Sequence, residues 1–147
     1  KVYSDSLKIQ SKRIMNIIKK KFPNSKICYI ASRIYGGYAT TALNPEPYAY
    51  WNGWSMKWMI EDQIDNDPML QFSGINANSP WLCWGTYNWA NGSAPRVDSL
   101  SWNYTDLAAD GTHPSHKGRQ KVAINLLRFL DCDSSACWYR KAGCYQP

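Results

Sequence analysis

The sequence predicts an α/β protein, and three observations predict it. An amphipathic basic segment runs into a tight turn at Pro23-Asn24-Ser25, a short continuously apolar β-rich run follows at Lys26 to Ser32, and a second such run stands at Trp81 to Tyr87. Helix, tight turn and buried strand in that order are the grammar of a parallel sheet covered by helices.

In chain order, Ser6 to Phe22 reads as the first helix, with Leu7, Ile14, Ile17, Ile18 and Phe22 on its buried stripe and the lysines on the solvated face. Lys19 to Lys21 fall in its last turn, where cations complement the helix dipole. Arg33 to Asn52 reads as a long loop carrying Gly36-Gly37, Pro45, Pro47 and five aromatics, Tyr35, Tyr38, Tyr48, Tyr50 and Trp51; it is too aromatic for disorder, and loops of this length are usually functional. Trp54 to Ile64 is expected as a second helix with Met56, Met59, Ile60, Gln63 and Ile64 along one side. An irregular connector follows to Pro80, and beyond the second strand Asn88 to Thr112 is again a long loop. Pro114-Ser115 then starts a final helix whose buried side is Val122, Leu126, Leu127, Phe129 and Leu130. Two strands with three helices make an incomplete sheet, so the pattern reads as part of a larger layered domain. The opening Lys1-Val2-Tyr3, with neither Met nor leader, reads as a cut.

Composition bounds the function classes. The 147 residues carry 17 Lys plus Arg against 11 Asp plus Glu, a net charge of +6. Residues 1 to 33 hold nine of the basic residues and only Asp5 as an acid, which looks like a polyanion site until the lysines are assigned to a solvated helix face. That assignment argues against a nucleic-acid partner. With 44% hydrophobic and 19% charged residues and no run of roughly 20 apolar residues, neither a disordered chain nor a membrane span is expected. Five cysteines, Cys28, Cys83, Cys132, Cys137 and Cys144, contain no CxxC pair, which argues against a zinc ribbon or a thioredoxin-type centre. Three of them cluster in the tail, residues 131–147, where a disulfide would pin a segment prone to fray and would favour an oxidising compartment. The sequons Asn91-Gly92-Ser93 and Asn103-Tyr104-Thr105 are compatible with secretion. Eight Trp and ten Tyr against three Phe suit both core packing and a ligand cleft.

The segment that carries chemistry is Asp110-Gly111-Thr112-His113-Pro114-Ser115. A carboxylate three residues before a histidine, on a loop tied to a helix start, can fix the imidazole tautomer and stabilise the imidazolium formed in acyl transfer. His113 is therefore the candidate general base and Asp110 its orienting carboxylate. Asp110, His113 and His116 also invite a metal reading, but no fourth ligand is apparent and His116 suits a first-turn surface position, so no metal is expected.

At this segment the chain resembles the SGNH (GDSL-like) hydrolase superfamily, whose last motif block is a D-x-x-H before the C-terminal helix. It is also similar to bacterial exported SGNH-like proteins in Ser32-Arg33-Ile34-Tyr35-Gly36-Gly37-Tyr38-Ala39, Asn44-Pro45-Glu46-Pro47-Tyr48, Trp81-Leu82-Cys83-Trp84-Gly85 and the Asp110 to Ser115 block, over roughly residues 5 to 130. The resemblance implies part of a three-layer α/β/α (flavodoxin-like) fold with long aromatic loops, residues 1–130 as the C-terminal portion of that domain, a secreted, periplasmic or cell-surface location, and ester hydrolysis by a Ser-His-Asp triad without a cofactor. The family's nucleophile and oxyanion-hole blocks have no counterpart here. The expected function is thus the His and Asp half of an esterase acting on acylated carbohydrate or another small ester, inactive alone and completed by an N-terminal portion of the same protein. Ser32 is the fallback nucleophile, and Arg33, Tyr35, Tyr38, Glu46 and Tyr48 are the expected substrate-binding residues; Arg33 equally suits a structural pairing with Glu46 or another carboxylate. The alternative is a noncatalytic extracellular carbohydrate-binding or structural protein that keeps the scaffold.

Overall fold

The computed structural model describes residues 2–40 and 46–139. Its helices are α1 (Val2–Lys21), α2 (Tyr48–Ile64) and α3 (His116–Cys132), and its strands β1 (Ile27–Ile30) and β2 (Trp81–Trp84). β1 and β2 pair in parallel, Ile27 opposite Trp81 and Ile30 opposite Trp84. Mixed helix with a small parallel sheet is the α/β class the sequence predicts. Cys144, the last of the tail cysteines, lies outside the described residues.

The described residues divide into two compact units, one of residues 2–32 and 50–84, the other of residues 33–40, 46–49 and 85–139. In the first, Met15 of α1, Ile30, Leu82, Met59 and Leu70 form the core, with Ile18, Cys28, Met56 and Ile60 packed against it. Alternation along a strand sends Cys28, Ile30 and Leu82 to this face and Tyr29, Trp81 and Cys83 to the other. Gln63 ties the layer together: its Nε2 donates to the carbonyls of Leu70 and Pro80 at 2.9 and 3.0 Å, and its Oε1 accepts from the Leu82 N–H at 2.7 Å.

Several sequence expectations are corrected. The buried side of α1 is Ser4, Ser11, Lys12 and Met15, not the predicted stripe: Leu7, Ile14, Ile17 and Phe22 are exposed, and of that set only Ile18 packs on the core. Ser55 Oγ donates to the Ser4 carbonyl at 3.0 Å, so small residues let α2 approach α1 closely. Lys12, nearly buried, lies 2.6 Å from Asp62 and 2.5 Å from Asp67, with Lys8 2.7 Å from Asp62. Burial pushes the Lys12 ammonium down, yet the two carboxylates outweigh it and its pKa is raised. The strands are not covered on both faces; only Ile30 and Leu82 are fully buried in them. α2 begins at Tyr48, which converts the end of the predicted loop, with Tyr48, Tyr50 and Trp51, into helix, and Ile64 is exposed. In α3, Leu126 and Leu127 are exposed, while Val122 packs inward and Phe129 and Leu130 are half-buried. No helix among the described residues is long and apolar enough to cross a membrane.

In the second unit, Trp102 is completely buried against Ala90 and Leu100, with Ile34, Tyr38 and Val122 around it. Burying a tryptophan of this size contributes about 5 kcal/mol of apolar transfer free energy. Its indole N–H donates to the Asn88 carbonyl at 3.0 Å, so the one polar atom of the ring is satisfied.

The role of Lys12 is testable by paired substitution. Lys12→Ala leaves two carboxylates facing each other without their shared cation and is expected to cost about 1–3 kcal/mol. Lys8→Ala, at the more exposed end, is expected to cost less than about 1 kcal/mol. Urea denaturation of both variants checks the order, and equal costs contradict it.

Candidate active site

The Asp110 to His113 loop is built from its two ends inward. Leu107 and Pro114 form an antiparallel bridge, the Ala108 N–H donates to the His113 carbonyl at 2.7 Å, and the Ser115 N–H donates to the Asp106 carbonyl at 2.9 Å. The Gly111 N–H donates to the Ala108 carbonyl at 2.9 Å and closes the tip. α3 starts directly afterwards, with Ser115 as N-cap accepting the Gly118 N–H at 3.3 Å and donating its hydroxyl to the Thr105 carbonyl at 2.8 Å. The loop is a short hairpin clamped to the head of a helix.

Inside it, the Asp110 carboxylate takes part in three interactions with two neighbours. Oδ1 takes the N–H groups of Thr112 and His113 at 2.9 and 3.0 Å, and Oδ2 lies 2.5 Å from His113 Nδ1. The His113 ring and the two backbone donors hold the Asp110 carboxyl down at about 2. A carboxylate that stays ionised and binds Nδ1 places that ring proton on Nδ1 and leaves Nε2 as the basic nitrogen. The His113 side chain is 77% exposed, so Nε2 is open to an approaching group.

Two glycines make this geometry possible. Gly111 has φ +65°, and a β-carbon there would stand 2.0 Å from the Tyr38 carbonyl oxygen. A β-carbon on Gly118 would stand 1.9 Å from the Asp106 carbonyl oxygen, so α3 meets the clamp only with glycine at that position.

Of the other predicted residues, Tyr38 supports the loop from below. Its backbone touches Gly111, its hydroxyl donates to the Trp102 carbonyl at 3.0 Å, and its ring meets Tyr104 edge-on. Tyr35 and Glu46 come together with Trp89, which sequence reasoning did not single out. Tyr35 stacks on Trp89 with centroids 6.1 Å apart, and the Trp89 indole N–H donates to the Glu46 carboxylate. Burial, and next the Glu46 charge, raise the Tyr35 phenol. Arg33 is half-buried, and Tyr48 is exposed in the first turn of α2. Ser32 belongs to the first unit, just after β1, where its buried hydroxyl has no hydrogen-bond partner among the described residues. Asp106 and Lys121 were also missed, because their pairing across 15 positions joins a loop to the second turn of a helix and has no local sequence signature. No group of three or more His, Cys, Asp or Glu suited to a metal occurs among the described residues, and His116 is exposed.

Comparison with protein families, curated proteins and solved structures gave no match to this chain.

The loop geometry makes a pH prediction. Because the Asp110 pKa is lowered, its stabilising contacts are complete above its ordinary value of 3.8 and are lost as pH falls through about 2. Carboxyl-carbon NMR titration of Asp110 is expected to give a midpoint near 2, moving toward 3.8 in Gly111→Ala as the loop is forced off Tyr38. A midpoint near 3.8 in the unsubstituted protein contradicts the arrangement.

Proposed function

We propose that this chain contributes the histidine and carboxylate of a Ser-His-Asp acyl hydrolase, with the serine and the oxyanion-hole donors supplied by an N-terminal portion of the same protein. The observation that carries this reading is the Asp110–His113 pair: a 2.5 Å contact at Nδ1, an ionised carboxylate, and an exposed ring edge. In the proposed reaction His113 Nε2 takes the serine hydroxyl proton as the oxygen attacks an ester carbonyl, then delivers it to the leaving alcohol. Asp110 keeps the tautomer and offsets the imidazolium charge. Ser32 is a poor substitute, since its hydroxyl is buried.

The three-layer α/β/α fold belongs to the same proposal. Its support is a parallel sheet of two strands with one packed face, and an exposed apolar line on α1, Leu7, Ile14 and Ile17, which a further segment of the domain would cover. An ester of an acylated carbohydrate is the proposed substrate and an exported location the proposed setting, both resting on the motif resemblance.

A second reading, a noncatalytic carbohydrate-binding or structural protein on the same scaffold, is favoured by the Tyr35–Trp89 stack with the Glu46 carboxylate at its edge. The experiment separates the two. The chain is expressed joined to its upstream reading frame and treated with a serine-reactive phosphonate. Labelling lost in His113→Ala, and reduced at least tenfold in Asp110→Ala, is expected. A folded, unlabelled protein sinks the esterase reading, and glycan binding lost in Trp89→Ala then favours the second.

A further inference from the structure

Away from the His113 loop, a cleft of about 470 Å³ runs along α3, between Lys117, Gln120, Ile124 and Arg128 on the helix and Ser99 and Ser101 on the facing loop. A second cleft of about 290 Å³, reaching Tyr87 and Phe129, shares Asp98, Asn125 and Arg128 with it. Residues three and four apart line one side of a helix, so the two form a groove; Lys117 to Arg128 spans about 16 Å at 1.5 Å per residue.

The wall opposite the helix is held in place. Arg96 donates to the carbonyls of Tyr87 and Trp89 at 2.9 and 2.6 Å, pairs with Asp98, and donates its backbone N–H to the Leu100 carbonyl at 2.9 Å. Ser99, at φ +66°, turns the chain at the groove edge. The charges are not balanced. Asp98, the one carboxylate of the two linings, is engaged by Arg96, and Asp106 is engaged by Lys121, with Lys117 at 3.3 Å and largely exposed. Arg128 has no carboxylate partner among the described residues.

We propose that this groove binds an anionic oligosaccharide. The Arg128 guanidinium presents a planar fork suited to a carboxylate or phosphate, with Lys117 as a second cation toward the other end. Gln120, Asn125, Ser99 and Ser101 supply paired donors and acceptors for ring hydroxyls, and the exposed flank of Ile124 receives a C–H face of a sugar ring. An acidic peptide fits less well, because the groove offers no strand edge for backbone pairing and no row of apolar pockets. The inference is independent of acyl transfer, since none of these residues touches His113 and the test reads binding alone.

Calorimetric titration with trigalacturonic acid, maltotriose, triglutamate and inorganic phosphate decides it. Trigalacturonic acid is expected to bind saturably, at least tenfold tighter than each of the other three, and at least tenfold weaker in Arg128→Gln. Gln120→Ala, a surface change that leaves the charge intact, is expected to weaken binding at least threefold. Absence of saturable binding, equal binding of triglutamate or phosphate, or affinity unchanged in both variants overturns the proposal.

Discussion

The second unit depends on one buried carboxylate. The Asp106 side chain is 0% exposed; Oδ2 accepts from Lys121 Nζ at 2.5 Å and from the Asn103 N–H at 2.9 Å, and Lys117 approaches Oδ1 at 3.3 Å. Removing a carboxylate from water costs several kcal/mol, and only a close cation with further hydrogen bonds offsets that. Burial pushes the Asp106 pKa up, Lys121 and then the Asn103 N–H push it down, and the net shift is downward. Its contribution is therefore present above the ordinary carboxylate range and lost as pH falls below it. Lys121 is itself fixed from other directions, donating to the Ser101 carbonyl at 2.9 Å and lying over the Trp102 ring at 5.0 Å. The Asp106 carbonyl also accepts the Ser115 N–H and presses on Gly118, so Asp106 locks the head of α3 against the core tryptophan and sets the spacing of the Asp110 loop.

The first unit repeats the theme with the sign of the central charge reversed. There a nearly buried lysine, Lys12, gathers Asp62 and Asp67, and both carboxyls are held below their ordinary range. Asp67 also caps the short 3-10 turn at Pro68–Leu70 by accepting the Met69 N–H, so the pairing fixes the connector that brings Leu70 into the core.

These two ionic clamps mark where sequence reading succeeds and where it stops. Local rules reach the strands, the start of α3 at Ser115 and the Asp110–His113 contact, because each depends on residues within about four positions of one another. They fail on α1, whose apolar periodicity points to Leu7, Ile14 and Ile17 while the packed side is Ser4, Ser11, Lys12 and Met15. Periodicity counts apolar groups; it does not register that small residues admit a close helix contact or that a lysine can be buried when two carboxylates 50 and 55 positions away meet it. Asp106 escaped for the same reason, and so did Trp89, whose partners Tyr35 and Glu46 stand 54 and 43 positions away in the segment between β1 and α2.

The groove along α3 shares Lys117 and Lys121 with the Asp106 clamp, and the dyad loop is tied to the same residue by the Ser115 N–H donating to the Asp106 carbonyl. The most direct measurement is the nitrogen-15 spectrum of the His113 ring above pH 7, in the unsubstituted protein and in Lys121→Met. The account predicts the proton on Nδ1 with Nε2 unprotonated in the first, and an averaged mixture of tautomers in the second as the loop loses its anchor. A ring protonated on Nε2, or a spectrum unchanged by Lys121→Met, contradicts it.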